Sequence, residues 1–205
     1  MKIRKAISIC LLLALLPVLA CVWYRRLNPP DYSIASHGGV SMVATNCPVQ
    51  PYYLQTDPAW KDETVGGSKE PLSDVGCTVC CVSMAFSQLG TATDPKILNA
   101  ELKSQNGYTR LGLLKWDVAA TASKGAIVFD LPRRPSHATI DAAIQSGNPV
   151  IAKLLLWESI PHWVLIVGKE GDEYLVKNPL CQERTVQKLS TLSKTIQSIR
   201  IVKRK

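Results

Sequence analysis

Three cysteines, Cys77, Cys80 and Cys81, fall within five residues, and three histidines, His37, His137 and His162, are the imidazoles that a thiol there could use. A cysteine attacks as its thiolate, which is scarce at neutral pH unless a helix N-terminus or a neighbouring imidazolium lowers the pKa. Cys77 stands where an apolar helical run begins, directly after Gly76, whose missing side chain allows close backbone approach. His37 lies in a stretch rich in Pro, Gly and Ser, and His137 at an exposed helix start, so neither has a supporting context. His162 opens the strand His-Trp-Val-Leu-Ile-Val-Gly immediately after a proline, and Asn178-Pro179 closes the neighbouring strand sixteen residues later. A turn at Glu170-Gly171-Asp172 between two antiparallel strands sets the start of one beside the end of the next. The Asn178 amide oxygen could then orient the imidazole of His162, as the third member of a nucleophilic triad does.

The same cluster invites other chemistry. The spacing C-x-x-C-C suggests zinc or thiol redox work. A structural zinc site needs a second ligand pair, and none occurs near Cys181 or the histidines. A thioredoxin-like pair would follow a strand and sit between strand–helix units, and it would not lead a run such as Cys-Val-Ser-Met-Ala-Phe. The expectation is therefore no metal and no cofactor, with Cys80 and Cys81 as buried helix residues. A purely structural Cys77, or a reversible Cys77–Cys80 disulfide, are the competing readings.

The elements that must position these groups can be read from periodicity. Residues 52–55 read as a short strand. Residues 77–89 carry Val79, Val82, Ala85, Phe86 and Leu89 at three- and four-residue steps and stop at Gly90, which predicts an amphipathic helix. Asp94-Pro95 opens a second helix through Leu102, and 113–122 continues the helical period. Residues 126–129 form a strand, and Ser136 caps a helix over 140–146 that stops at Gly147. From there the pattern changes to strands at 149–156, 163–167, 174–177 and 198–202. Helices first and a mainly antiparallel sheet afterwards is an α+β arrangement. Trp60, Trp116, Trp157 and Trp163 read as packing residues, with Trp163 placed to line a groove.

The chain has 205 residues and a net charge of +8, which raises the question of a nucleic-acid partner. Five basic residues lie in the first 26 positions and five more in the last twelve, while residues 47–192 hold 14 basic and 15 acidic ones. A near-neutral body lacks the phosphate-binding charge that nucleic acid requires. At the N-terminus, Lys2, Arg4 and Lys5 precede an uncharged run over 6–24, closed by Arg25-Arg26. This predicts a signal anchor over 1–26, or a lipoprotein-type signal ending before Cys21. Residues 27–50 read as a tether and 51–205 as the domain. The protein is then extracytoplasmic and membrane-held, in the periplasm or on the surface of a bacterium, and monomeric. Export permits a disulfide, and Cys47 with Cys181 is one pairing.

Several pieces together resemble the bacteriocin-processing cysteine peptidases, peptidase family C thirty-nine and its relatives, which share the papain-like fold. They are Tyr53-Leu54-Gln55-Thr56-Asp57-Pro58-Ala59-Trp60, Gly76-Cys77 leading into Val82-Ser83-Met84-Ala85, and Asp94-Pro95. Gly147-Asn148-Pro149-Val150-Ile151, His162-Trp163-Val164 with Gly168, and Asn178-Pro179 complete the set. The resemblance implies a papain-like fold, Cys77 as nucleophile, His162 as general base, Asn178 as its orienting partner and Gln55 in the oxyanion hole. Two positions depart from the family pattern. Thr78-Val79 replaces the usual Gly-Pro after the cysteine, and Asn178 stands where Asp is common, which keeps orientation but gives an imidazolium less electrostatic support. The function expected is a cysteine hydrolase of the peptidase kind, with a peptide or protein as substrate. A catalytically inactive papain-like module that binds peptides or partner proteins is the alternative.

Overall fold

The computed structural model describes residues 32–45 and 51–205. The chain divides into Met1–Tyr32 and Ser33–Lys205, and the fold that follows is that of the second unit. The expected membrane segment 1–26, with Cys10 and Cys21, lies outside the described residues, as does Cys47. Among the described residues no helix is long and apolar enough to cross a membrane.

In chain order the unit contains β1 (Ile34–Ala35), β2 (His37–Thr45), α1 (Leu72–Val75), α2 (Cys77–Gln88), α3 (Pro95–Ser104), α4 (Trp116–Ala122), β3 (Ile127–Asp130) and α5 (His137–Gln145). Then come β4 (Val150–Leu156), β5 (Ile160–Lys177), β6 (Gln187–Lys188), a 3-10 turn (Leu189–Thr191), β7 (Thr195–Ile196) and β8 (Ser198–Arg204). The main sheet runs β2-β5-β4-β8-β3, with β6 added to β5 and every pair antiparallel. This is the α+β arrangement read from the sequence.

Both faces of the sheet are covered. Ile151, Leu165, Val167 and Val202 face α2 and the residues around it, while Val150, Ala152, Val164 and Ile166 join Ile140 and Ile144 of α5 on the other side. The alternation of β4 and β5 thus feeds two cores. The stripe expected on α2 is wider than predicted. Cys80, Cys81, Ser83 and Met84 are buried along with the apolar set, as happens when a helix is enclosed on several sides.

The caps behave as their residue types dictate. Asp94 accepts from the Ile97 N–H at 2.8 Å, with Pro95 opening α3, and Ser136 accepts from the Thr139 N–H at 3.2 Å to start α5. Residues 52–55, read as a strand, are irregular. Tyr52 instead turns its hydroxyl into the core, and Gln55 N–H makes one backbone bond, 3.0 Å to Pro179 O. Helix α4 starts only at Trp116, because Thr109 Oγ1 accepts from the N–H groups of Leu111 and Leu113 and holds the preceding residues in a turn.

The tether reading of 27–50 needs correction where it is described, since β2 is the edge strand of the main sheet. It pairs with β5 from Thr45 opposite Gly168 to His37 opposite Glu173, across a bulge. A buried ion pair fastens it. Lys169 Nζ, fully buried, donates to Asp141 Oδ1 at 2.7 Å and to the carbonyls of Gly38 and Val40 at 2.6 and 2.8 Å. Asp141 in turn accepts from the Val40 N–H at 2.7 Å. Removing one partner of such a pair strands the other charge, which costs about 3–5 kcal/mol. Lys169→Met should therefore lower stability to urea by about that amount and release amide protection across β2 in hydrogen exchange. A loss under about 1 kcal/mol with β2 still protected would show that the pair does not hold the strand.

Candidate active site

Helix α2 begins at a junction that admits only glycine. The Gly76 N–H closes α1 on Leu72 O at 2.8 Å, and a Cβ on Gly76 would stand 2.4 Å from that same oxygen. The close approach anticipated at Gly76 is thus to the preceding helix. The first bond of α2 runs from Cys80 N–H to Gly76 O at 3.0 Å, so the N–H groups of Cys77, Thr78 and Val79 precede the ladder. Cys77 sits among these free donors, 9% exposed, on the wall of a cleft of about 540 Å³. Gln55, His162 and Trp163 line the same cleft.

Strand β5 brings the imidazole. His162 and Asn178 lie sixteen residues apart, which in a straight strand would separate them by roughly 50 Å at ~3.3 Å per residue. Their side chains are instead hydrogen-bonded, His162 Nε2 to Asn178 Oδ1 at 2.8 Å, so the extended run Ile160–Lys177 must fold back on itself. Gly171, at φ +64°, supplies the left-handed residue at the reversal. Two strands were expected here; the extended conformation continues around the bend because β2 pairs with it there.

Asn178 is held on every side. Its N–H donates to the Tyr52 hydroxyl at 2.8 Å, and its Nδ2 donates to Gln187 Oε1 at 3.1 Å. Its Oδ1 accepts from the Leu180 N–H at 3.0 Å. A backbone N–H can only donate, so the amide orientation is fixed and Oδ1 must be the atom that faces His162. His162 Nε2 is then the protonated nitrogen, and Nδ1 carries the lone pair.

Helix α2 and β5 meet around the backbone of one residue. Cys81 Sγ donates to Trp163 O at 3.4 Å, while the Trp163 backbone amide faces the Cys77 sulfur one helical turn earlier. Cys77 and His162 thus reach the cleft from two elements tied at adjacent residues. Sulfur and imidazole are not hydrogen-bonded to each other; the Cys77 Sγ contact is Thr78 Oγ1 at 4.0 Å. Burial pushes the Cys77 thiol up, against smaller opposing pulls from the Trp163 and Thr78 groups. Burial also pushes His162 down, partly offset by its bond to Asn178. Both shifts favour uncharged forms, so the resting pair is a thiol and a neutral imidazole.

Gln55 is 4% exposed, and its Nε2 donates to Ser73 O at 2.6 Å. That leaves one amide hydrogen unused, and Oε1 is buried without a partner. Cys80 and Cys81 are fully buried, and burial pushes both thiols far up. Among the described residues, Cys77, Cys80, Cys81 and Cys181 form no disulfide with one another. Of the tryptophans read as packing residues, Trp157 is exposed at the tip of the β4–β5 turn, and Trp163 lines the cleft. Three residues that position or charge the site escaped the sequence reading. Tyr52 and Gln187 bracket Asn178, and Arg200 reaches the cleft from β8.

No family model matches the chain, and no curated protein does. The chain is similar to a crystal structure from Bacillus anthracis provisionally assigned as a C39-like peptidase, at 12% identity and a TM-score of 0.47, covering 80% of this chain and 98% of that one. A likeness this distant assigns no chemistry, so the roles of the cleft residues rest on their own geometry.

Replacing Asn178 with Ala would leave the Leu180 N–H, the His162 Nε2–H and Gln187 Oε1 without a partner. A loss of about 1–3 kcal/mol in denaturant unfolding is expected. Asn178 is also what raises the His162 pKa against burial, so His162 should titrate lower still in Asn178→Ala when followed by NMR. An unchanged His162 titration would mean that the bond does not tune the imidazole.

Proposed function

We propose that this chain is a cysteine hydrolase with a papain-like fold that cleaves peptide or other amide bonds, with Cys77 as nucleophile, His162 as general base and Asn178 as its orienting residue. The observation that carries this reading is the Asn178 Oδ1 bond to His162 Nε2, which leaves Nδ1 as the basic nitrogen in the cleft that also holds Cys77. Because the resting pair is neutral, the thiol proton moves to Nδ1 as the substrate carbonyl is attacked. The sulfur turns from Thr78 toward the imidazole, a bond forms from sulfur to the carbonyl carbon, and the carbonyl π pair moves onto oxygen.

The oxyanion is held by the Cys77 N–H at the head of α2 and by the spare Nε2 hydrogen of Gln55. Collapse of the tetrahedral intermediate breaks the C–N bond, and the imidazolium gives its proton to the departing amine. Water, deprotonated by the same Nδ1, then attacks the thioester. The acid is released and the thiol restored.

The basic-then-apolar segment 1–26 supports a location on the outer side of a bacterial membrane, held there through the N-terminus. The partners that follow are a peptide or protein substrate and the membrane, with the hydrolase working as a monomer. The absence of a Cys77–His162 hydrogen bond at rest favours one second reading, a peptide-binding module without turnover.

Peptide pools incubated with the protein and read by mass spectrometry separate the two. Cleavage is expected for the wild type, with a loss of about 10³-fold or more in Cys77→Ala and at least ~10²-fold in His162→Ala. No cleavage, or cleavage indifferent to both substitutions, would overturn the hydrolase.

A further inference from the structure

Arg200 was grouped by sequence with the charges of the C-terminus, yet it lies in the cleft of Cys77 and His162. In register it stands opposite Ile151 of β4, and Lys153 stands opposite both Trp163 and Ser198. Residues opposite one another, or two apart on a strand, share a sheet face, so Trp163, Lys153, Ser198 and Arg200 point the same way. The Arg200 guanidinium carbon is 5.2 Å from the Trp116 ring centre and 5.5 Å from that of Trp163. The two indoles are themselves 5.4 Å apart.

The guanidinium is well housed but poorly matched. Its Nη1 donates to Ile199 O at 2.7 Å, while its Nε is buried with no hydrogen-bond partner. Among the described residues, no carboxylate lies within ion-pair distance of Arg200 or of Lys153. A guanidinium offers five donors in a planar fork, and the indoles steady its charge through their faces without satisfying those donors. A half-buried cation left this way is set up for an anion that arrives from outside. The acidic residues of the cleft, Glu70 and Asp74, come from the segment leading into α2, so its charge is divided between segments. A planar fork beside a second cation fits a carboxylate, which accepts two parallel N–H bonds from it.

We propose that Arg200, steadied by Trp116 and Trp163 and assisted by Lys153, forms a carboxylate-binding subsite in this cleft, which selects peptides carrying a carboxylate close to the bond that is cleaved. The substrate part of this inference rests on the hydrolase reading; the binding part does not. The carboxylate belongs to an Asp or Glu side chain or to a free peptide C-terminus, and both present the same group.

Binding to full-length Cys77→Ala, followed by tryptophan fluorescence, tests it without turnover. The probes are pools of N-acetylated hexapeptides in three matched forms: glutamate-containing with an amidated C-terminus, glutamine-containing with a free C-terminus, and glutamine-containing with an amidated C-terminus. One of the acidic pools should bind about 10-fold or more tightly than the neutral pool, and which one does so identifies the source of the carboxylate. Adding Arg200→Gln should bring the preference within about 2-fold of unity, while Arg200→Lys, which keeps the charge, should retain part of it. Equal binding of all three pools, or a preference that survives Arg200→Gln, overturns the subsite. If the Cys77→Ala protein shows the preference but the wild type cleaves no peptide, the subsite stands and the hydrolase falls. If the wild type cleaves acidic and neutral peptides alike and the preference is missing, the subsite falls and the hydrolase stands.

Discussion

Asn178 Oδ1 accepts two hydrogen bonds at once, from the Leu180 N–H and from His162 Nε2. The first donor has no alternative role, so it decides the orientation of the amide, and the amide then decides the tautomer of the histidine. Gln187 holds the other end of the amide, and Tyr52 holds its backbone. Three separate stretches of chain, around Tyr52, His162 and Gln187, therefore converge on one buried residue, where low dielectric strengthens every bond and makes an unmade one costly. The fold-back of β5, the placement of β6 beside it and the path of the residues before α1 all have to be compatible with that convergence.

The other half of the site depends on how α2 meets β5. Cys77 and Cys81, one turn apart, bracket the backbone of Trp163, the residue next to His162. This fixes the sulfur near the imidazole without joining them. Burial raises the thiol and lowers the histidine, so charge separation between them is disfavoured in the resting protein. Thr78, next to Cys77, offers its hydroxyl to the sulfur in a way that a glycine there could not.

Much of this was legible in the chain because it is written in local chemistry. The pairing of His162 with Asn178 follows from a reversal centred near Gly171, and the strand pattern on either side of it shows. Caps at Asp94 and Ser136 sit where their residue types prefer. What could not be read depends on contacts distant in sequence. Strand β2 carries exposed Val40 and Val43 and two glycines, and it is held from outside by Lys169 and Asp141, so its own residues give little sign of a strand. Tyr52 has strand-like neighbours, but its hydroxyl is more valuable at Asn178, 126 positions away, than the residue is in a ladder. Gln187 lies in a polar segment without period. Arg200 was hidden by counting, since it belongs by position to a basic terminus and by geometry to an aromatic pocket in the cleft.

The central claim is that Asn178 holds His162 with its proton on Nε2, leaving Nδ1 as the base. Imidazole ¹⁵N shifts of His162, measured near neutral pH on selectively labelled protein, report this directly. A protonated, pyrrole-like Nε2 with an unprotonated, pyridine-like Nδ1 is the result expected. A proton found on Nδ1 in the resting protein would contradict the account, because the ring would then have no basic nitrogen to offer Cys77.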